Sequence, residues 1–274
     1  MTYKMIVSDL DESLLRTDGS VSEADVQAIA RLRDAGVKFV PNTGRGFASV
    51  QALLKTIGTE QVAGQYVISY NGGAIVENAG NQIIASTPLP FDIANAIFKV
   101  GAADPEFGAH IYTFHHVYIY RPSASEYAYL DNRGVDYELW TDDDLSALKG
   151  HPIAKVIFQH PELAARQKLA EKIAQAVDYP ATVSYSSGRY VEFNPSGIDK
   201  GDAAIILGEK IGIKPAEIIA LGDNLNDLSM IQKVGLGVSV KNGVPAIQDA
   251  AGLVLPVDND HDPVTSLAKL VFDL

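Results

Sequence analysis

The sequence predicts an α/β protein: a parallel sheet covered by helices, built from both ends of the chain, with an α+β domain inserted between them. Three observations lead there. Short apolar runs alternate with segments of helical period in the first third and again in the last. Most of the apolar runs end in a cluster of Asp, Asn, Thr or Gly, as strands that run into loops do. The middle differs in composition: from about Ser86 to Tyr190 lie five of the six histidines, the single tryptophan and most of the tyrosines. A length of 274 residues fits two domains at about 150 residues each. The expected boundaries are 1–85 with 191–274 for the sheet domain and 86–190 for the insert.

The elements follow in order. Met5, Ile6 and Val7 read as a buried strand that runs into Asp9-Leu10-Asp11-Glu12-Ser13-Leu14-Leu15. Ser22, with Asp25 three residues on, caps a helix from about Ala24 to Ala35, and Gly36 stops it. Val37 to Val40 is a second strand, leading into Pro41-Asn42-Thr43-Gly44-Arg45-Gly46 and a helix from about Phe47 to Ile57. Tyr66 to Tyr70 is a third strand, Asn71-Gly72-Gly73 a tight turn, and two antiparallel strands follow around Asn78-Ala79-Gly80-Asn81.

In the insert, the branched and aromatic run from Ile111 to Arg121 reads as β, as does Ile153 to Gln159. Pro161 precedes a helix from about Glu162 to Val177, and a strand pair surrounds Gly188. The last part alternates again. A helix from Lys200 is closed by Gly212, and a strand from Ile218 ends at Gly222-Asp223-Asn224-Leu225-Asn226-Asp227. A helix, a strand from Leu236, a short helix, a short strand from Leu253 and a closing helix from Pro263 complete the chain.

Composition bounds the function. Hydrophobic residues make up 47% and charged residues 20%, as in a globular protein. A net charge of -12 argues against a nucleic-acid backbone or an anionic membrane as the main partner. There is no cysteine, which excludes disulfides, a thiolate nucleophile and a Cys-zinc site. No apolar run is long enough to span a bilayer and no signal peptide is seen, so a cytoplasmic location is the expectation.

The chemistry gathers at strand ends, where an open parallel sheet binds its ligands. Asp9 and Asp11 are two apart, so on an extended segment they point the same way. Two such carboxylates suggest a cation with hard oxygen ligands, which suits Mg2+, with one carboxylate to attack and the other to move a proton. The plainer alternative is a polar turn. Thr43-Gly44 offers a hydroxyl and backbone N–H groups at a helix start, an anion seat or merely an N-cap. Lys200 at a helix amino terminus opposes the helix dipole, which suggests that its charge has another task. Asp223 and Asp227, four apart, could face one cation, although Asp227 taken alone reads more readily as the cap of a helix from Leu228. Together they would form an acidic half (Asp9, Asp11, Asp223) and a phosphate-holding half (Lys200, Thr43-Gly44), as phosphoryl transfer requires.

At this point Asp9-Leu10-Asp11-Glu12-Ser13-Leu14-Leu15, Thr43-Gly44-Arg45, Lys200-Gly201 and Gly222-Asp223-Asn224-Leu225-Asn226-Asp227 resemble the four ordered motifs of the haloacid dehalogenase superfamily, in particular its Cof-type sugar-phosphatase branch. The length and place of the insert are similar to that branch's cap, and Asn71-Gly72-Gly73 resembles its Asn-Gly-Ala turn. The resemblance implies a Rossmann-like core with an inserted cap and an Mg2+-dependent phosphatase of small phosphorylated metabolites. It implies Asp9 as nucleophile, Asp11 as acid and base, and Lys200 as the neutralising cation. Mg2+ would be held by Asp9, the Asp11 backbone carbonyl, Asp223 and Asp227; the phosphoryl group would be held by Thr43, Gly44 and Asn226. The rivals are a phosphotransferase or phosphomutase on the same scaffold and a non-catalytic phosphate-ester-binding regulator. A monomer or small homo-oligomer is expected.

Three departures stand out. Glu12 replaces the family's usual Gly and adds negative charge near the site, Ser13 replaces Thr, and Asn42 stands where a small residue is usual. Other candidates are weaker. His115 and His116, read as strand neighbours, would point to opposite faces and share no metal. Arg121, Tyr127 and Arg133 are weighed as cap contacts to substrate against ordinary surface, and His261 reads as a surface loop histidine.

Overall fold

A computed structural model describes residues 2–131 and 135–274. The chain begins with β1 (Met5–Ser8), α1 (Glu23–Asp34), β2 (Lys38–Pro41), α2 (Gln51–Thr56), β3 (Tyr66–Ser69), β4 (Ala74–Glu77) and β5 (Gln82–Ser86). It continues with α3 (Phe91–Ala102), β6 (Gly108–Thr113), β7 (Val117–Tyr120), α4 (Ala124–Asp131), β8 (Glu138–Trp140), β9 (Ile153–Gln159), α5 (Leu163–Ala176), β10 (Thr182–Ser186) and β11 (Tyr190–Asn194). It ends with α6 (Lys200–Ile211), β12 (Ile218–Gly222), α7 (Leu228–Lys233), β13 (Leu236–Ser239), α8 (Pro245–Ala250), β14 (Leu253–Val254) and α9 (Pro263–Phe272).

Two units emerge: residues 1–86 with 199–274, and residues 87–198. The second crossing lies at 199 rather than at the expected 191. The cause is pairing: Tyr190–Asn194 hydrogen-bonds to both β9 and β10 and so belongs to the sheet of the second unit.

In the first unit a five-stranded parallel sheet has the order β14-β13-β12-β1-β2. Strands leave in opposite directions on the two sides of β1, so the crevice between β1 and β12 is a topological switch point, where such sheets bind ligands. Ser8 pairs in register with both Leu221 and Pro41. The carboxyl ends of β1, β2 and β12 are therefore level. Met5, Val7, Val40, Ala220 and Ile218 pack with Ala203, Ala204 and Leu207 of α6 in one apolar cluster. The Ser22 hydroxyl accepts the Asp25 N–H at 3.0 Å, the cap its sequence predicts. The helix expected from Phe47 to Ile57 is broken into a 3-10 turn, Phe47–Val50, and α2.

In the second unit a six-stranded sheet has the order β10-β11-β9-β6-β7-β8, antiparallel except for the β7–β8 pair. Ala109, Ile111, Val156, Phe158, Val191 and Phe193 pack with Ile97 and Phe98 of α3 and Leu169 and Ile173 of α5. Helix α3 is absent from the expected elements, although its buried residues Ala94, Ile97, Phe98, Gly101 and Ala102 follow helical spacing. His115 and His116 lie in the turn between β6 and β7, not in a strand. Arg121 donates to the Ala102 carbonyl at 2.9 Å, and Arg133 lies outside the described residues. No helix among the described residues is long and apolar enough to cross a membrane.

Candidate active site

Four segments meet at the carboxyl edge of the parallel sheet. Asp9 follows β1, where its N–H donates to the Leu221 carbonyl of β12 at 2.9 Å. Asn42 and Thr43 follow β2, and the Asn42 N–H donates to the Ser8 carbonyl at 2.8 Å. Asp223 to Asp227 follow β12 as a tight turn before α7. Lys200 is the first residue of α6, whose N-cap Asp199 accepts the Asp202 N–H at 2.7 Å.

The charged side chains converge below the surface. Lys200 Nζ lies 2.5 Å from Asp9 Oδ1 and 2.7 Å from Asp227 Oδ1, and its side chain is 0% exposed. Carboxylate oxygens of Asp9, Asp223 and Asp227 come within 4.8 Å of one another. Three buried carboxylates thus face one ammonium, an excess of negative charge that a low-dielectric site tolerates poorly. The titration behaviour reflects it. Burial pushes the Asp9 carboxyl well above the usual range; Lys200 opposes this, while Asp227 and Asp223 add to it. Burial also raises Asp223, to about 6; a hydrogen bond from Ser13 opposes the shift and Asp227 and Glu12 reinforce it. For Lys200, burial disfavours the charge, but Asp9 and Asp227 outweigh it and hold the group above the ordinary lysine value.

A divalent cation fits this donor set. The ligand atoms are hard oxygens, and a charge of +2 offsets the excess. Asp9 Oδ1 is engaged by Lys200 and Asp223 Oδ1 accepts from Ser13 Oγ at 2.7 Å, which leaves the second oxygen of each without a hydrogen-bond partner among the described residues. Asp227 differs. Its Oδ1 accepts from Lys200, and its Oδ2 accepts the N–H groups of Asp223 (3.0 Å) and Asn224 (3.1 Å). Asp227 therefore ties the turn and Lys200 together as well as adding charge.

Asp11 stands apart from this group. Strand β1 ends at Ser8 and Leu10 lies in a turn, so the two-residue alternation of a strand does not extend from Asp9 to Asp11. The Asp11 side chain is 57% exposed and pairs with Arg45. Thr43 is buried; its N–H donates to Ile68, its carbonyl accepts from Asn71 and its hydroxyl accepts the Arg45 N–H at 3.1 Å. No α-helix starts directly at Thr43-Gly44, so the seat expected there is a strand end and loop rather than a helix terminus. Asn226 is exposed on the turn.

Sequence reasoning left three groups out of the expected site. Arg45 belongs to the Thr43-Gly44-Arg45 segment, but nothing local announces its pairing with Asp11. Ser13 binds Asp223 across 210 residues of chain. Asn42 is fully buried, and its Nδ2 donates to the Lys200 carbonyl at 3.0 Å, anchoring the start of α6 to the end of β2.

The family model of haloacid dehalogenase-like hydrolases matches residues 6–267. The chain belongs to this family. The hydrolase is 28% identical over 270 residues to YxeH of Bacillus subtilis, which carries the name of a phosphatase; the match covers 98% of each chain. It is 28% identical over 258 residues to the HMP-PP phosphatase of Serratia proteamaculans, covering 90% of this chain and 86% of that one. Among solved structures, a haloacid dehalogenase-like hydrolase from Bacteroides thetaiotaomicron matches with a TM-score of 0.84 at 23% identity, covering 98% of the hydrolase and 100% of that chain. A sugar phosphatase of subclass IIB of the superfamily matches with a TM-score of 0.82 at 16% identity, covering 99% and 100%. At such identities the structural matches establish a shared fold.

Proposed function

We propose that this hydrolase is an Mg2+-dependent phosphatase of small phosphorylated metabolites, sugar phosphates or cofactor-like monoesters, acting through an aspartyl-phosphate on Asp9. The observation that carries the reading is the buried Asp9–Lys200–Asp227 array, with Asp223 beside it, at the switch point of the sheet. Relatives that carry the names of phosphatases support the substrate class.

Asp9, Asp223 and the Asp11 backbone carbonyl would hold the metal, with Asp227 beside them; when bound it offsets negative charge between carboxylate and phosphate. Asp9 attacks phosphorus, a carboxylate oxygen–phosphorus bond forms, and the bond to the ester oxygen breaks. Asp11 gives a proton to that leaving oxygen, then takes one from the water that attacks the intermediate. The second attack frees Asp9 and releases inorganic phosphate. Lys200, held in place by Asp227, lowers the repulsion between the Asp9 carboxylate and the anionic ester. Thr43, Gly44 and Asn226 hold the phosphoryl oxygens. Asp11 reaches its place by turning away from Arg45.

The test is inorganic phosphate release from a panel of sugar and cofactor phosphates, with Mg2+ and with a chelator. Metal-dependent release from a related group of esters is expected. No release from any ester by folded, metal-loaded protein would remove the reading.

A further inference from the structure

The turn that follows β3 is built against ordinary backbone preference. Tyr70 (φ +56), Asn71 (φ +55) and Gly72 (φ +102) are all left-handed. Such a conformation is uncommon outside glycine and an outlier for a residue as bulky as tyrosine; strain of this kind persists where the surroundings impose it, often at functional sites. Here the surroundings are the candidate active site. The Tyr70 N–H donates to the Arg45 carbonyl at 3.1 Å and the Asn71 N–H to the Thr43 carbonyl at 2.9 Å. On its other side, a Cβ on Gly72 would come within 2.4 Å of the Asp199 carbonyl, just before Lys200. The turn is thus clamped between the Thr43-Gly44-Arg45 loop and the start of α6.

This geometry lays the Asn71 side chain on Gly44. Its Nδ2 and Oδ1 would be 3.1 and 3.2 Å from a Cβ at that position. Close approach of this amide, rather than a left-handed backbone, is what favours glycine at 44: a Cβ there would make the amide give by a few tenths of an ångström. Yet among the described residues the amide has no hydrogen-bond partner: its Oδ1 is buried and unmet, and its Nδ2 makes no hydrogen bond. The unmet Oδ1 can accept only from a donor such as a water, while the Nδ2 of the same amide, with no hydrogen bond among the described residues, is the donor left for an anionic ligand. Asn71 lies beside two positions already assigned to phosphate, Thr43 and Gly44, and near the helix that carries Lys200.

We infer that the Asn71 carboxamide is a further substrate-binding group, its Nδ2 donating to a phosphoryl oxygen seated at Thr43-Gly44. The inference rests on the phosphatase reading, which assigns that seat. A neutral donor suits this position, because the cluster already holds three carboxylates against one lysine.

The experiment compares Asn71→Gly and Asn71→Asp with wild type for inorganic phosphate affinity in Mg2+, by competitive inhibition of ester hydrolysis and by thermal shift. Glycine accepts the left-handed backbone and removes the amide; aspartate accepts it and replaces the donor with a negative acceptor. A lost hydrogen bond to a charged oxygen corresponds to phosphate binding about ten- to a hundredfold weaker in Asn71→Gly. Asn71→Asp should be weaker still, with both variants folded. Wild-type affinity in both would overturn the inference, and so would wild-type affinity in Asn71→Asp alone, which would make the side chain a prop of the right shape. Wild-type protein that neither hydrolyses esters nor binds phosphate overturns the phosphatase reading and this inference together; wild-type turnover with unaffected variants overturns this inference alone.

Discussion

Arg45 holds Asp11 by both prongs of its guanidinium: Nε donates to Oδ2 at 3.0 Å and Nη2 to Oδ1. A fork-to-fork contact fixes the orientation of a carboxylate more than it stabilises a fold. The side chains are 35% and 57% exposed, so the pair sits in water-screened surroundings. Arg45→Ala should therefore shift stability by no more than about 1 kcal/mol, read from urea denaturation. Asp11→Asn should fold as wild type and lower kcat by about 10²–10⁴, the usual weight of an acid–base group. Full kcat in Asp11→Asn would take Asp11 out of that role.

Asp9→Asn should lose turnover while gaining stability without metal. Burial raises the Asp9 carboxyl well above its ordinary range, so its charge at neutral pH is held at a cost to the fold. A neutral amide of the same shape removes that cost. Phosphate release and the thermal midpoint in chelator are the two readouts. Retained release would exclude Asp9 as nucleophile, and an unchanged midpoint would mean that the cluster is less strained than its burial implies.

Lys200→Met should be strongly destabilising, by about 3–5 kcal/mol at neutral pH, because Asp9 and Asp227 would be left buried without their cation. The loss should shrink at pH 5, where Asp9 takes up a proton more readily. Denaturant midpoints at the two pH values decide it. Equal losses at both would show that Lys200 acts through packing rather than charge.

Asp223 makes metal-free stability depend on pH. Its folded pKa of about 6 lies above the unfolded value, so the folded protein retains a proton that the unfolded chain has released. That contribution is complete below the unfolded pKa and is lost as pH rises through about 6. In chelator the thermal midpoint should fall between pH 5 and pH 7.5, and Mg2+ should restore it at the higher pH. A rise over that interval, or no response to Mg2+, would contradict this account of the cluster.

Glu12 is left-handed, and its charge helps to raise Asp223. In Glu12→Gly, relief of about 1–3 kcal/mol of backbone strain is offset by about 0.5–1 kcal/mol of chain entropy. Stability should thus rise modestly, and the chelator pH step should move downward. KM for an anionic ester should fall with the loss of a nearby negative charge. An unmoved pH step would show that Glu12 is too well screened to matter.

The sequence by itself determined what its local patterns encode. The alternation of apolar runs and helical segments made the parallel sheet legible, and the Ser22 cap and the Gly212 stop mark helix ends that the structure contains. The four charged segments were legible because each sits where a strand or loop gives way to the next element. Tertiary structure alone decided what depends on contacts between distant segments. It put Lys200 between Asp9 and Asp227, 191 and 27 residues away, and turned Asp11 toward Arg45. It placed Tyr190–Asn194 in the second sheet, because hydrogen-bonded pairing with β9 and β10 leaves no local trace of which domain a strand joins. It also set the Asn71 amide on Gly44, a contact made by a left-handed turn whose strain is imposed by neighbours rather than by its own residues. Local preference is read from neighbours in the chain, whereas a buried charge takes its meaning from whatever the fold brings within a few ångströms of it.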